Sequence, residues 1–129
     1  MNYIDDVATY INTLNLGVPV YAENFGKKES INQVVVMTET SSIDKNSPVM
    51  RVKFGVYCRN KSMTAARDQC NTIFGNLNNF FGKLVSSSTN VFQHISAVSP
   101  PYQFSNEANT PMYLVTFEAA VIERIIKIR

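Results

Sequence analysis

Between Met50 and Phe81 the spacing of apolar residues changes from two to between three and four. Met50, Val52, Phe54, Val56 and Cys58 alternate with Arg51, Lys53, Gly55, Tyr57 and Arg59, the period of a pleated strand whose two faces differ. Asn60-Lys61 makes a turn, and Ser62 suits the N-cap of a helix. Met63, Ala66, Cys70, Ile73, Phe74, Leu77 and Phe81 then fall on one face at helical spacing. A helix over Met63 to Phe81 would run ~28 Å, enough to cross a sheet of several strands. Gly75 in its interior costs about 1 kcal/mol relative to alanine, and Gly82 is a natural terminator.

The same reading extends outward from this unit. Ile4, Val7, Ala8, Ile11 and Leu14 form one stripe, which predicts a first helix over Tyr3 to Leu14. Asp5 and Asp6 sit in its first turn, where the helix dipole favours acids, and Asn15 and Gly17 end it. Val18 to Tyr21 reads as a short strand that Pro19 confines to an edge. Phe25 to Lys28 reads as a turn. Val34, Val35, Val36 and Met37 predict a buried strand near Gln33 to Glu39. Thr40 to Ser47 is a polar connection whose tip is Asp44 to Pro48, so this strand and the next make a hairpin with a long exposed loop. Ser86 to Asn90 is a polar loop. Val91 to Val98 is a strand that Ser99-Pro100-Pro101 breaks, Tyr102 to Pro111 is irregular, and the last strand runs from Met112 to about Ile122. The order α-β-β-β-α-β-β predicts an α+β fold in one domain over 1–129: a mainly antiparallel sheet of four to five strands packed with two helices.

Composition adds a hint about the surface. Charged residues are 17% of the chain, below the usual share of about a quarter, which suggests a surface partly covered by copies of the chain or by a partner. The net charge of +2 is too mild to argue nucleic-acid binding. Cys58 and Cys70 both fall where a buried apolar residue is wanted, and read as reduced structural thiols of a cytosolic protein. The start, Met-Asn-Tyr-Ile-Asp-Asp, lacks the basic region of a signal peptide. No apolar run reaches the roughly 18–20 residues of a membrane span.

Candidate chemistry is sparse, and the sequence predicts neither an enzyme nor a cofactor or metal site. His94 is the single histidine, with no carboxylate or cysteine beside it in sequence, so packing or a surface position is favoured over ligation. Cys58 or Cys70 paired with His94 is the one nucleophile the residues allow, and a reactive thiol needs a more electropositive setting than an apolar face. No glycine-rich phosphate loop is present. The best charge cluster is Arg51, Lys53, Arg59, Lys61 and Arg67. Of these, Arg51, Lys53 and Arg59 share a strand face with Tyr57. That face reads as solvated, or as a subunit interface or DNA-facing surface. The alternative is a nucleic-acid-binding module with a ferredoxin-like sheet. Arg124, Lys127 and Arg129 alternate with isoleucines in a tail that either pairs with a neighbour or frays.

Two segments carry a resemblance. FGVYCRNKSMTAARDQCNTIFGNL (Phe54 to Leu77) is similar to the core of phage tail terminator proteins, with a strand ending in a basic residue, a short turn with serine, and a helix bearing an Ala-Arg pair, here Ala66-Arg67. ISAVSPPYQFSNEANTPMYLVTFEAAV (Ile95 to Val121) has the strand, Ser-Pro-Pro, polar loop and aromatic-led strand with Phe117-Glu118. The short N-terminal helix before a Leu-Gly stretch matches as well. Asn109-Thr110-Pro111 departs from the family, standing where a Gly-Arg pair is expected. The resemblance implies a structural protein of the virion, located in the tail at the head–tail interface and assembled in the host cytoplasm. It implies a homo-oligomeric ring, often hexameric, that caps the tail tube. Its implied partners are the tube protein, a head-completion or connector protein, and genomic DNA passing through the lumen without sequence recognition.

Overall fold

The computed structural model of the chain describes residues 2–23, 32–43, 49–105 and 111–123. In chain order these form α1 (Tyr3–Asn12), β1 (Val20–Ala22), β2 (Gln33–Ile43), β3 (Val49–Arg59), α2 (Met63–Leu77), β4 (Phe80–Gly82), β5 (Asn90–Ala97), β6 (Tyr102–Ser105) and β7 (Met112–Glu123). The strands make one sheet in the order β1-β2-β3-β7-β5-β4, with β6 also paired to β7. Only β1 and β2 run parallel; every other pairing is antiparallel. The α+β class is as expected.

The sheet has seven strands, not four to five, and the extra ones are β4 and β6. β4 lies where the helix was expected to continue. Phe81 is four residues past Leu77, so it keeps the helical spacing, but the helix stops at Leu77. Asn79 adopts a left-handed φ of 65°, a conformation asparagine tolerates better than most residues. Its N–H donates to the Ile95 carbonyl at 2.8 Å, while the Asn78 side chain accepts from the Ala97 N–H at 2.9 Å. The chain therefore leaves the helix directly into the sheet, and Phe81 ends 77% exposed.

β6 is four residues long, too short for periodicity to show. Its pairing with β7 places it: Tyr102 lies opposite Leu114, while the Val98 N–H just upstream still reaches the Thr116 carbonyl at 2.8 Å. β5 and β6 are thus two pieces lying end to end along one edge of β7. Ser99-Pro100-Pro101 bulges out between them, since proline has no N–H for the ladder.

The other expected helices and strands are present with small shifts, although Met63, expected on the buried face of α2, is exposed. α1 ends at Asn12 instead of Leu14, and β1 is an edge strand one residue beyond Pro19. β2 continues past Glu39 to Ile43 through a bulge between Thr38 and Thr40. The expected turn at Phe25 to Lys28, the loop tip at Asp44 to Pro48, the Asn109-Thr110 pair and the tail with Arg124, Lys127 and Arg129 lie outside the described residues.

Both helices pack on one face of the sheet. Ile4, Val7 and Ile11 of α1 and Cys70, Ile73 and Leu77 of α2 join Val34, Val36, Phe54, Val56, Cys58, Val115 and Phe117 in one buried cluster. Each large aliphatic or aromatic side chain buried in this way contributes about 1.5–3 kcal/mol. At its centre Phe54 and Phe117, paired in register across β3 and β7, stack with ring centroids 5.5 Å apart. Ser62 caps α2 as its sequence suggested, accepting from the Ala65 N–H at 3.2 Å.

Candidate interaction face

The opposite face of the sheet carries no described helix. On β3 it presents Arg51, Lys53, Gly55, Tyr57 and Arg59, as the alternation predicts, because Val52, Phe54, Val56 and Cys58 all point into the core. The four expected site residues do share this face. Arg51 is exposed, and Lys53, Tyr57 and Arg59 are half-buried. They run in a line of ~27 Å at the rise of an antiparallel strand.

Their spacing divides the line into three zones. Arg51 and Lys53 form one end, with Ser42 and Ala120 in register with Arg51, and Thr40 and Glu118 with Lys53. Arg59 is the other end, between Gln33 and Met112. The middle is apolar and aromatic. A Cβ on Gly55 would sit 3.1 Å from Tyr57 Cε1 and 3.2 Å from Leu114 Cδ1. The missing side chain is thus what lets the tyrosine ring lie back along the sheet. Phe104 of β6 meets that ring edge-on, with centroids 5.6 Å apart and planes at 85°. Burial, then the Glu39 carboxylate, then Tyr102 raise the Tyr57 phenol above its ordinary 10.0.

The sequence therefore placed the basic residues correctly but took Tyr57 for an isolated aromatic among charges. The structure gathers Tyr57, Tyr102, Phe104 and Leu114 into one cluster, of which Tyr102 is 45% and Phe104 53% exposed. Tyr102-Gln103-Phe104 carried the signal that was missed, an apolar–polar–apolar alternation directly after the proline pair.

The candidate thiol–imidazole pairing is not assembled. Cys58 and Cys70 are free and buried in the core between β3 and α2. A hydrogen bond with the Cys70 thiol, then burial, holds Cys58 well above its ordinary 9.0. His94 is exposed and pairs in register with Ala120 on the other side of the sheet. Among the described residues no three His, Cys, Asp or Glu groups cluster as metal ligands would, and no helix is long and apolar enough to cross a membrane.

One buried polar group escaped the sequence reading. Asp6, expected to serve the helix dipole beside Asp5, is fully buried. Its Oδ2 accepts from Ser88 Oγ at 2.5 Å and from Asn90 Nδ2 at 3.0 Å. Ser88 Oγ in turn accepts from the Asn90 N–H at 3.1 Å. This network ties α1 to the start of β5 and is structural.

Comparison with known proteins identifies a family and a shared fold. The family model described as "Bacteriophage tail terminator protein" matches residues 10–122. No curated protein matches the chain. Among solved structures, a chain from the virion of a native gene transfer agent (GTA) particle shares the fold, with a TM-score of 0.56 over 90% of this chain and 84% of that one, at 12% identity.

Proposed function

The chain belongs to the bacteriophage tail terminator family, a structural protein of the virion tail, and on that premise we propose that its copies close into a ring that caps the finished tail tube. The ring is hexameric, and its upper surface receives the filled head through a head-completion or connector protein. Genomic DNA passes through the lumen without sequence recognition. The observation that supports this reading most is the sheet's two unlike ends, β1 and β4. A ring of identical subunits needs two different surfaces that meet head to tail and close.

In this ring the Arg51, Lys53, Tyr57 and Arg59 face is either a subunit interface or the DNA-facing wall. The nucleic-acid module with a ferredoxin-like sheet has less to support it. The element order α-β-β-β-α-β-β-β-β differs from the βαββαβ of that fold, and the Tyr57 ring packs on Phe104 instead of standing open to a base. Protein mixed with tail tubes should show rings on tube ends by negative stain. Tubes left uncapped, with the protein monomeric beside them, would overturn the reading. Arg51→Ala with Lys53→Ala separates the two roles of the face. Lost rings assign it to the interface, and intact rings with impaired DNA delivery assign it to the lumen.

A further inference from the structure

Among the described residues, Phe81 lies outside the core cluster. It is 77% exposed, the most exposed large apolar side chain among the described residues. The register of β4 against β5 slips between Phe80 and Gly82, where Gly82 takes a φ of +110°. This bulge turns Phe81 out of the ladder, while Phe80 packs on Tyr10 at 5.9 Å. Exposed Lys83 follows two residues later. A bare aromatic on an edge strand is a liability that folded proteins ordinarily cover.

The opposite end of the sheet offers a match. Between α1 and β1 lies an open groove whose half-buried floor is Ala8, Val20 and Ala22 and whose helix rim is Asp5, Thr9 and Asn12. Asp5 and Lys83 have no ion-pair partner among the described residues. The sheet thus carries an aromatic knob beside a cation at one end strand, and at the other a groove with an apolar floor and a polar helix rim that includes an anion.

We propose that Phe81 of each subunit seats in the α1–β1 groove of the next, with Lys83 approaching Asp5, and that this contact is the head-to-tail joint of the ring. The two surfaces differ and lie at opposite ends of one sheet, so each copy offers one of each. That is the condition for a heterologous interface to propagate and close. A phenylalanine in such a seat buries about 150–250 Å² and acts as an anchor.

The inference rests on the ring reading, and the experiment keeps the two apart. Wild type, Phe81→Glu and Ala8→Arg are each mixed with tail tubes and scored for capped ends, with melting curves as the folding control. The expected result is capping by wild type and a loss of about tenfold or more in both variants. A double variant, Phe81→Cys with Ala8→Cys, oxidised on the tubes, should give a ladder of disulfide-linked oligomers on a non-reducing gel, and either single variant should give none. Wild type that forms no rings removes the ring reading and this joint with it. Rings formed equally well by Phe81→Glu, or rings of the double variant without a ladder, remove the joint and leave the ring standing.

Discussion

Asp5 and Asp6 are neighbours with opposite surroundings, and stability experiments should separate them. Asp5 is exposed, whereas Asp6 is sealed against Ser88 and Asn90. Asp6→Ala removes the buried acceptor of Ser88 Oγ and one acceptor of Asn90 Nδ2, and should cost about 1–3 kcal/mol in urea denaturation. Asp5→Ala should change stability by no more than about 0.5 kcal/mol. A second residue-scale effect follows from the core thiol. In the folded chain the Cys58 thiol is pushed well above 9.0, the midpoint at which the unfolded chain releases this proton. The folded state therefore binds the proton more tightly, and this contribution is complete below pH 9.0 and is lost as pH rises beyond it. Tyr3 and Tyr57, both raised from 10.0 mainly by burial, act in the same direction above pH 10.0. The urea midpoint should fall steadily from pH 9 to pH 11, and a flat profile there would contradict these environments.

At the scale of elements, α2 distinguishes a residue that keeps the helical period from one that is in the helix. Ile73 is fully buried in the core cluster, and Phe81 lies beyond the Asn78-Asn79 turn. Ile73→Ala should cost about 2–5 kcal/mol, and Phe81→Ala should stay within about 0.5 kcal/mol. Equal losses in the two melts would place Phe81 back in the core. The long elements were legible because their periodicity is unambiguous: β3 and the buried stripe of α2 follow directly from residue spacing. β4 and β6 were not, because three or four residues carry no period and their strand character comes from partners far along the chain. The same limit applies to the interaction face. Alternation on β3 was enough to group Arg51, Lys53, Tyr57 and Arg59. That Tyr57 lies back over Gly55 against Phe104 depends on β6 and β7 being brought alongside, and no local pattern encodes that.

For the whole molecule, the pairing of β3 with β7 matters most, because it forms the middle of the sheet and carries the Phe54–Phe117 stack. Its register joins Arg59 to Met112 and Val49 to Ile122, separations of 112 − 59 = 53 and 122 − 49 = 73 residues. Closing a loop of that size costs roughly 3–4 kcal/mol before any contact offsets it. The chain should therefore refold in milliseconds to seconds and not in microseconds, as stopped-flow fluorescence of its tyrosines can establish. The timing of synthesis follows from the same pairing. While the ribosome is still making the segment before Met112, β2 and β3 can meet as a hairpin, but the far edge of β3 has no strand to receive it. A chain truncated after Pro111 would keep both helices and lose the strand that pairs with β3, β5 and β6 alike. It should collect in the insoluble fraction when expressed. The protein is thus expected to be most prone to aggregate while β7 is not yet available to pair with β3, β5 and β6.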